Sequence, residues 1–336
     1  MTTIKDVAKS AGVSVATVSH VINETRFVSD LTKAKVKTAM AKLGYQPNAV
    51  ARSLRKKESK IIGLIIPDNT NPYFAEMAWS IEIASKEKEY SVILCNSDDD
   101  VNNESSYLDV LIKNQVDGII IVAAGKSSTN FKKLLEKKIP VVMVDRDSPN
   151  IKTDSVQINN GKYGELATEY LISLGHTKIG CISGPRVVSP SFDRVDGYKK
   201  ALTNNNLPVR DEYIVRGDFK PHGGYLAGCE LMELKDKPSA IFACNDLMAY
   251  GVMHAAAENR LKVPDDLSVI GFDDIYLSTF INPPLTTIKQ PRIEMGEEAV
   301  LSLINRIKNP ERKARNIILE ADLIERSTAM KFQTSG

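Results

Sequence analysis

At 336 residues the chain exceeds one ordinary hydrophobic core, and its 43% hydrophobic content suits two or three globular domains. No apolar run approaches the roughly 20 residues of a membrane span, and the N-terminus lacks a signal peptide's apolar stretch, so a cytoplasmic protein is expected. Charge is uneven: residues 1–60 hold 12 Lys and Arg against 4 Asp and Glu, a net +8 that leaves −6 for residues 61–336, as for a basic nucleic-acid-binding head on an acidic body.

The head begins with a helix in which Ile4, Val7 and Ala8 share one apolar face, Thr3 serves as cap and Asp6 sits in the first turn. Ala11-Gly12-Val13 breaks it. Ser14 caps a second helix whose Val18, Val21 and Ile22 continue the buried face. Two short helices joined by a Gly-containing turn form the helix-turn-helix pattern. The outward residues Val15, Ala16, Thr17, Ser19 and His20 are small or polar enough to enter a DNA major groove. A third helix, Asp30 to Leu43, capped by Ser29 and stopped by Gly44, completes the small core through Leu31, Ala34, Val36, Ala39, Met40 and Leu43. The segment after Pro47-Asn48 is helix-capable, short and basic, suited to a linker or to folding on DNA phosphates. Its lone Leu54 would pack on the body or wedge between base pairs, and packing is the simpler reading of the residues alone.

From residue 61 the pattern changes. Ile61-Ile62-Gly63-Leu64-Ile65-Ile66 is a continuous apolar run, as a strand buried on both faces should be. Strands at Val92–Cys95, Gly118–Val122, Val141–Val144, Ile179–Ser183, Tyr213–Val215, Ala240–Cys244 and Ser268–Phe272 alternate with helices at Tyr73–Glu89, Asn103–Asn114, Asn130–Lys137, Tyr163–Leu174, Arg194–Asn204, Gly223–Leu234 and Leu247–Asn259. The series restarts near residue 158, which predicts two α/β lobes with parallel sheets. Thr286–Gln290, helix Glu294–Ile307 and strands Ile317–Leu319 and Leu323–Ile324 add to either lobe.

Ligands of open α/β sheets sit beyond the carboxyl ends of strands. That rule selects Asp68, Asn69, Asn71, Tyr73 and Phe74 after the first strand, then Asp145-Arg146, Asn245-Asp246, Asp273-Asp274 and Gln290. Carboxylates, guanidinium and amides beside aromatic rings suit a sugar, whose hydroxyls donate and accept while its ring needs an apolar face. Each Asp or Asn taken singly also suits a helix cap or turn. No G-x-G-x-x-G follows the first strand, and neither G-x-x-x-x-G-K-[ST] nor G-x-S-x-G occurs, so no enzyme and no cofactor is expected. Cys95, Cys181, Cys229 and Cys244 lack C-x-x-C spacing and the His residues are scattered, so no metal site is expected either.

The chain resembles the lac repressor family of bacterial transcription regulators over nearly its whole length. The resemblance rests on Ile4-Lys5-Asp6-Val7-Ala8 through Ser14-Val15-Ala16-Thr17-Val18-Ser19, on Pro47-Asn48-Ala49-Val50-Ala51-Arg52-Ser53-Leu54, on Gly175-His176, on Gly271-Phe272-Asp273-Asp274 and on Pro284 to Pro291. It implies a small all-α helix-turn-helix headpiece at 1–46, a hinge helix and linker at 47–60, and an effector body of two doubly wound, periplasmic-binding-protein-like lobes. The lobes are expected at 61–160 plus 291–320 and at 161–290 plus 321–330. A homodimer on a palindromic operator is implied. DNA contact falls to Thr3, Val15, Ala16, Thr17, Ser19, His20 and Arg26, and in the hinge to Asn48, Ala51, Leu54 and Arg55. The resemblance overrules the packing role for Leu54, which would lever open the minor groove.

Two branches of the family compete for the ligand, one responding to purines and one to ribose. Asn71, Tyr73, Phe74, Asp145, Arg146, Arg194, Phe219, Asn245, Asp273 and Gln290 resemble the pocket of ribose-binding proteins position by position. The purine branch places an arginine and a threonine where this chain has Val188 and Pro190, and a glycine at Asn245. Tyr73 departs toward the purine pattern. Ribose as inducer is therefore expected, with a purine corepressor as the alternative. Some relatives also use a phosphocarrier protein as corepressor, a partner the resemblance leaves open. An α/β enzyme fused to a DNA-binding head is opposed by the missing fingerprints, and a transport component by the basic head.

Overall fold

The computed structural model describes residues 2–45, 58–124, 129–146, 152–186 and 188–332. Asn48, Ala51, Leu54 and Arg55 lie outside the described residues. The chain divides into two compact units, Met1–Lys60 and Ile61–Gly336.

In the first unit α1 (Ile4–Ala11), α2 (Val15–Asn23) and α3 (Asp30–Lys42) enclose Val7, Ala8, Val18, Val36 and Ala39. The Thr3 amide and hydroxyl donate to Asp6 Oδ2 at 2.8 and 2.7 Å, hydrogen bonds that lower the Asp6 pKa. Gly12 takes the left-handed conformation (φ +66°) that ends α1 without a Cβ clash. Ser14 Oγ accepts from the Thr17 amide at 3.0 Å. One expectation holds in position only and another fails. Ser29 stands at the N-cap of α3 as expected but makes no side-chain cap bond, its hydroxyl lying 2.9 Å from Thr32 Oγ1. Leu31 (71% exposed) and Ala34 face away from the core, which α3 meets on the Val36–Ala39–Met40 side.

The second unit carries two six-stranded sheets. The first takes β1 (Ile61–Ile66), β2 (Ser91–Asn96), β3 (Gly118–Ile121), β4 (Val141–Val144), β5 (Asp154–Ile158) and β11 (Asn316–Leu319), in the order β11-β5-β4-β3-β1-β2 and parallel throughout. Both faces are covered, which explains the unbroken apolar strands. Ile62, Leu64 and Ile66 share a core with Met77 of α4 (Pro72–Glu87) and Leu303 of α11 (Arg292–Lys308). Ile65, Ile119 and Ile121 pack with Leu108 and Leu111 of α5 (Val101–Lys113) and Phe131 of α6 (Thr129–Glu136).

The second sheet takes β6 (Ile179–Ser183), β7 (Ile214–Arg216), β8 (Ala240–Ala243), β9 (Ser268–Asp273), β10 (Thr286–Lys289) and β12 (Asp322–Ile324), ordered β12-β10-β9-β8-β6-β7 with only β12 antiparallel. Its helices are α7 (Asn160–Ser173), α8 (Ser189–Asn204), α9 (Pro221–Glu233) and α10 (Asp246–Glu258). They pair α7 with α8 and α9 with α10. A Cβ at Gly164 would stand 2.3 Å from the Arg194 carbonyl oxygen, so α7 and α8 touch through their backbones. That contact fixes the turn of α8 carrying Arg194.

The chain passes between the sheets at Asn159, at Gln290-Pro291 and at Glu320-Ala321. Strand β5 is absent from the sequence reading. Its first residue, Asp154, is a fully buried carboxylate held by Arg306 and Arg312 at 2.8 and 2.7 Å. No helix among the described residues is long and apolar enough to cross a membrane.

Candidate functional site

The carboxyl ends of the two sheets border a cavity of 660 Å³. Nine of the ten residues expected to hold ligand line it: Asn71, Tyr73, Phe74, Asp145, Arg146, Arg194, Phe219, Asn245 and Asp273. Gln290 stands behind the lining, where its Nε2 donates to Asp273 Oδ1 at 2.8 Å and its Oε1 lies 3.1 Å from the Tyr73 hydroxyl. Asp68 and Asn69 line the cavity. Asp274 does not, and pairs with Arg326 at 2.7 Å.

Local structure aims these groups. Asn71 caps α4 by accepting from the Tyr73 amide at 3.0 Å, which turns Tyr73 and Phe74 inward. The Tyr73 hydroxyl donates to Asp145 Oδ1 at 2.7 Å. Burial first, and then the charges of Asp145 and Asp273, hold the Tyr73 pKa well above its ordinary value, so it remains a donor. Asn245 caps α10 through the Met248 amide at 2.9 Å, and its Nδ2 donates to the Phe219 carbonyl at 3.0 Å. Asp145 (φ +66°), Phe219 (φ +65°) and Asp273 (φ +116°) adopt left-handed backbone, each at about 1 kcal/mol or more. Such strain gathered in one cavity is characteristic of a functional site.

Arg194 is buried, with Nε donating to Asn160 Oδ1 at 2.9 Å and NH1 to the Cys244 carbonyl at 2.5 Å. Its guanidinium lies 3.7 Å from the Phe272 ring centre and 3.6 Å from Asp273 Oδ1. Burial raises the Asp273 carboxyl to about 8, against the lowering pull of Arg194 and with the raising charge of Asp246. Arg146 is equally buried: NH1 pairs with Asp99 and with the Ala123 carbonyl at 3.2 Å, and NH2 reaches Asp99 Oδ2 at 3.3 Å. The result is a ring of carboxylates, amides and guanidinium groups with Phe74 and Phe219 offering apolar faces. It can orient a small polyhydroxylated molecule. No group of His, Cys, Asp and Glu suited to a metal occurs among the described residues.

Sequence reasoning missed Asn96, Asp98, Asp99, Asp218 and Lys220, which also line the cavity. The same strand-end rule reaches them when applied to β2 and β7.

In the headpiece, Val15 (41% exposed), Ala16, Thr3 and Arg26 are exposed, and Thr17, Ser19 and His20 are half-buried. Thr17 Oγ1 lies 2.9 Å from Ser14 Oγ. His20 Nδ1 lies 2.8 Å from Thr25 Oγ1, which leaves Nε2 as the ring's other hydrogen-bonding atom. Ser19 Oγ accepts from Asn23 at 3.2 Å.

Comparison with known proteins gives two family matches: residues 3–48 match bacterial regulatory proteins of the lacI family, and residues 59–327 match periplasmic binding proteins and the sugar-binding domain of that family. The ribose operon repressor of Escherichia coli K12 is 41% identical over 331 residues, covering 98% of this chain and all of that one. The repressor PurR of Photorhabdus laumondii is also 41% identical, covering 98% of this chain and 97% of its own. The lac repressor dimer bound to operator and the anti-inducer ONPF superposes with a TM-score of 0.88 at 30% identity, over 98% of this chain and 99% of that one. A LacI-family regulator from Enterococcus faecium with bound ribose gives 0.74 at 30% identity, over 81% and 100%.

Proposed function

Because the chain belongs to the lac repressor family, whose members are DNA-binding transcriptional repressors and not enzymes, we propose that it represses a sugar-utilisation operon and is released by ribose or a similar pentose. The observation that carries this reading is the cavity ring. Asp145, Asp273 and Asn245 accept or donate around it, Arg146 and Arg194 supply buried donors, and Phe74 and Phe219 flank it. That set offers both donors and acceptors to the hydroxyls of a pentose and aromatic faces to its ring. Ribose bound to the Enterococcus faecium relative adds support.

The headpiece of a homodimer lays α2 in the major groove of each operator half-site. Val15 and Ala16 touch thymine methyl groups, Thr17 and His20 read base edges, and Thr3, Ser19 and Arg26 hold the backbone. Residues 47–60 form the hinge: Asn48, Ala51 and Arg55 follow the minor groove, and Leu54 wedges its base step. The body's lobes are 61–160 with 291–320 and 161–290 with 321–330. Sugar seated on both changes their mutual angle and thereby the hinge spacing, so sugar and operator oppose each other's binding equally. A phosphocarrier protein is not needed for this scheme.

A purine corepressor is the second reading, favoured by the identity to PurR and by Tyr73. Against it, Val188 and Pro190 line the cavity without a side-chain donor for a purine ring. Calorimetric titration with ribose, hypoxanthine and guanine, with and without operator, separates the two. Heat with ribose, weakened by operator, is expected. Heat only with a purine, strengthened by operator, overturns the inducer reading.

A further inference from the structure

The cavity holds more negative than positive charge: among the described lining residues, Asp68, Asp98, Asp99, Asp145 and Asp218 face Arg146, Arg194 and Lys220, while burial leaves Asp273 its proton. The two arginines are buried and partly engaged by protein groups. The Arg194 NH1 and Nε serve Cys244 and Asn160. Arg146 is held by Asp99, from the turn between β2 and α5, in a forked pair that uses both terminal nitrogens. A guanidinium binds a phosphate best through that same fork.

The turn is built to deliver this pair. Asp98 and Asp99 both take left-handed backbone, each with φ of +54°, a conformation costly for non-glycine residues and least so for Asp and Asn. Asn96 braces the turn, its Nδ2 donating to Asp98 and its Oδ1 accepting from the Asn69 amide at 2.7 Å. Asp100 ends it by accepting from the Asn102 and Asn103 amides at 2.7 and 3.0 Å. The Asp99 side chain is 37% exposed whereas that of Arg146 is 4% exposed, so the carboxylate stands between the guanidinium and solvent. The Arg146 Nε is buried, lies 3.8 Å from Asp145 Oδ2 and makes no hydrogen bond.

We propose that Asp99 is a specificity-determining residue that makes this cavity take an uncharged sugar and reject its phosphorylated counterpart. Asp99 occupies the Arg146 fork and cancels its charge. A phosphate brought to the same place would meet the Asp99 and Asp98 carboxylates and find the fork taken. The proposal deepens the pentose reading and rests on it for the identity of the preferred ligand.

The test is titration of the full-length protein and its Asp99→Asn and Asp99→Glu variants with ribose, ribose 5-phosphate and inorganic phosphate at two ionic strengths. Asp99→Asn keeps the side chain's size and removes its charge. It is expected to bind ribose 5-phosphate and inorganic phosphate about tenfold or more tighter than the parent, with the gain shrinking at high salt. Ribose affinity should change far less. Asp99→Glu restores the charge and should restore the rejection. Equal phosphate and ribose 5-phosphate binding by parent and Asp99→Asn overturns the assignment, and so does a gain insensitive to salt. If the parent ignores ribose, the pentose reading fails, while the phosphate arm still decides what Asp99 does.

Discussion

Removing the Tyr73 hydroxyl should weaken the fold and tighten the ligand at once. This hydroxyl donates to Asp145 Oδ1 at 2.7 Å, and Asp145 is a proposed sugar acceptor. A hydrogen bond to a charged group contributes about 1.5–3 kcal/mol. Tyr73→Phe deletes the donor and leaves a buried carboxylate oxygen wanting one, so the unliganded body loses stability of about that size. A sugar hydroxyl reaching Asp145 would replace the lost donor, and it would no longer compete with the tyrosine for that oxygen. Most of the loss therefore returns on binding: about 1.4 kcal/mol recovered is a tenfold tighter Kd. Thermal melting should show the ligand-free variant lower by a few degrees, since about 1 kcal/mol corresponds to roughly 2–4 °C in a domain of this class. Calorimetry should show ribose binding about tenfold tighter. A variant that melts lower yet binds ribose equally or more weakly refutes the reasoning, because Asp145 is then not an acceptor for which tyrosine and sugar compete.

Two further outcomes follow from the same geometry. The Asp273 carboxyl is raised by burial to about 8, so the folded body holds a proton that the unfolded chain has released above the ordinary carboxylate range. The Asp273 contribution to stability should therefore fall as pH rises from about 4 to 8 and level off beyond, and that of Asp246, raised to about 6, has the same sign. Asp273→Asn should flatten the upper part of that slope in chemical denaturation run across pH, and an unchanged slope would contradict it. Gly164→Ala places a Cβ 2.3 Å from the Arg194 carbonyl oxygen. It should destabilise the body by about 1–3 kcal/mol and reduce ribose affinity by displacing Arg194, which binding and melting measured together would detect.

Much of the site was readable because a strand end announces itself locally: an apolar run stops and an Asp or Asn follows. Asn71, Asp145, Asn245 and Asp273 were found that way. The rule was not carried to β2, so Asn96 and the Asp98-Asp99 turn were missed, although their side-chain geometry depends on left-handed backbone that no residue pattern displays. Strand β5 escaped because Asp-Ser-Val-Gln-Ile is short and polar, and its anchor is an ion-pair cluster with arginines more than 150 residues away. The third helix looked amphipathic through Leu31 and Ala34, yet its burial is decided by where α1 crosses it. Strands β11 and β12 are two residues apart and lie in different sheets, a division set by pairing partners and invisible in a window of sequence.

That division has a mechanical meaning. The Glu320-Ala321 crossing leaves from the edge strand β11, beside β5, and arrives at the edge strand β12, beside β10. The Tyr163 hydroxyl ties Glu320 and accepts from the Ala321 amide at 2.8 Å, stitching the helix that follows the first crossing to the third. Two of the three crossings are thus tied to each other, and all three are short. On the proposed reading, a sugar bound in the cavity would act on a body whose two sheets are joined by three short lengths of backbone, and a relative turn of the sheets is the change such joints would admit.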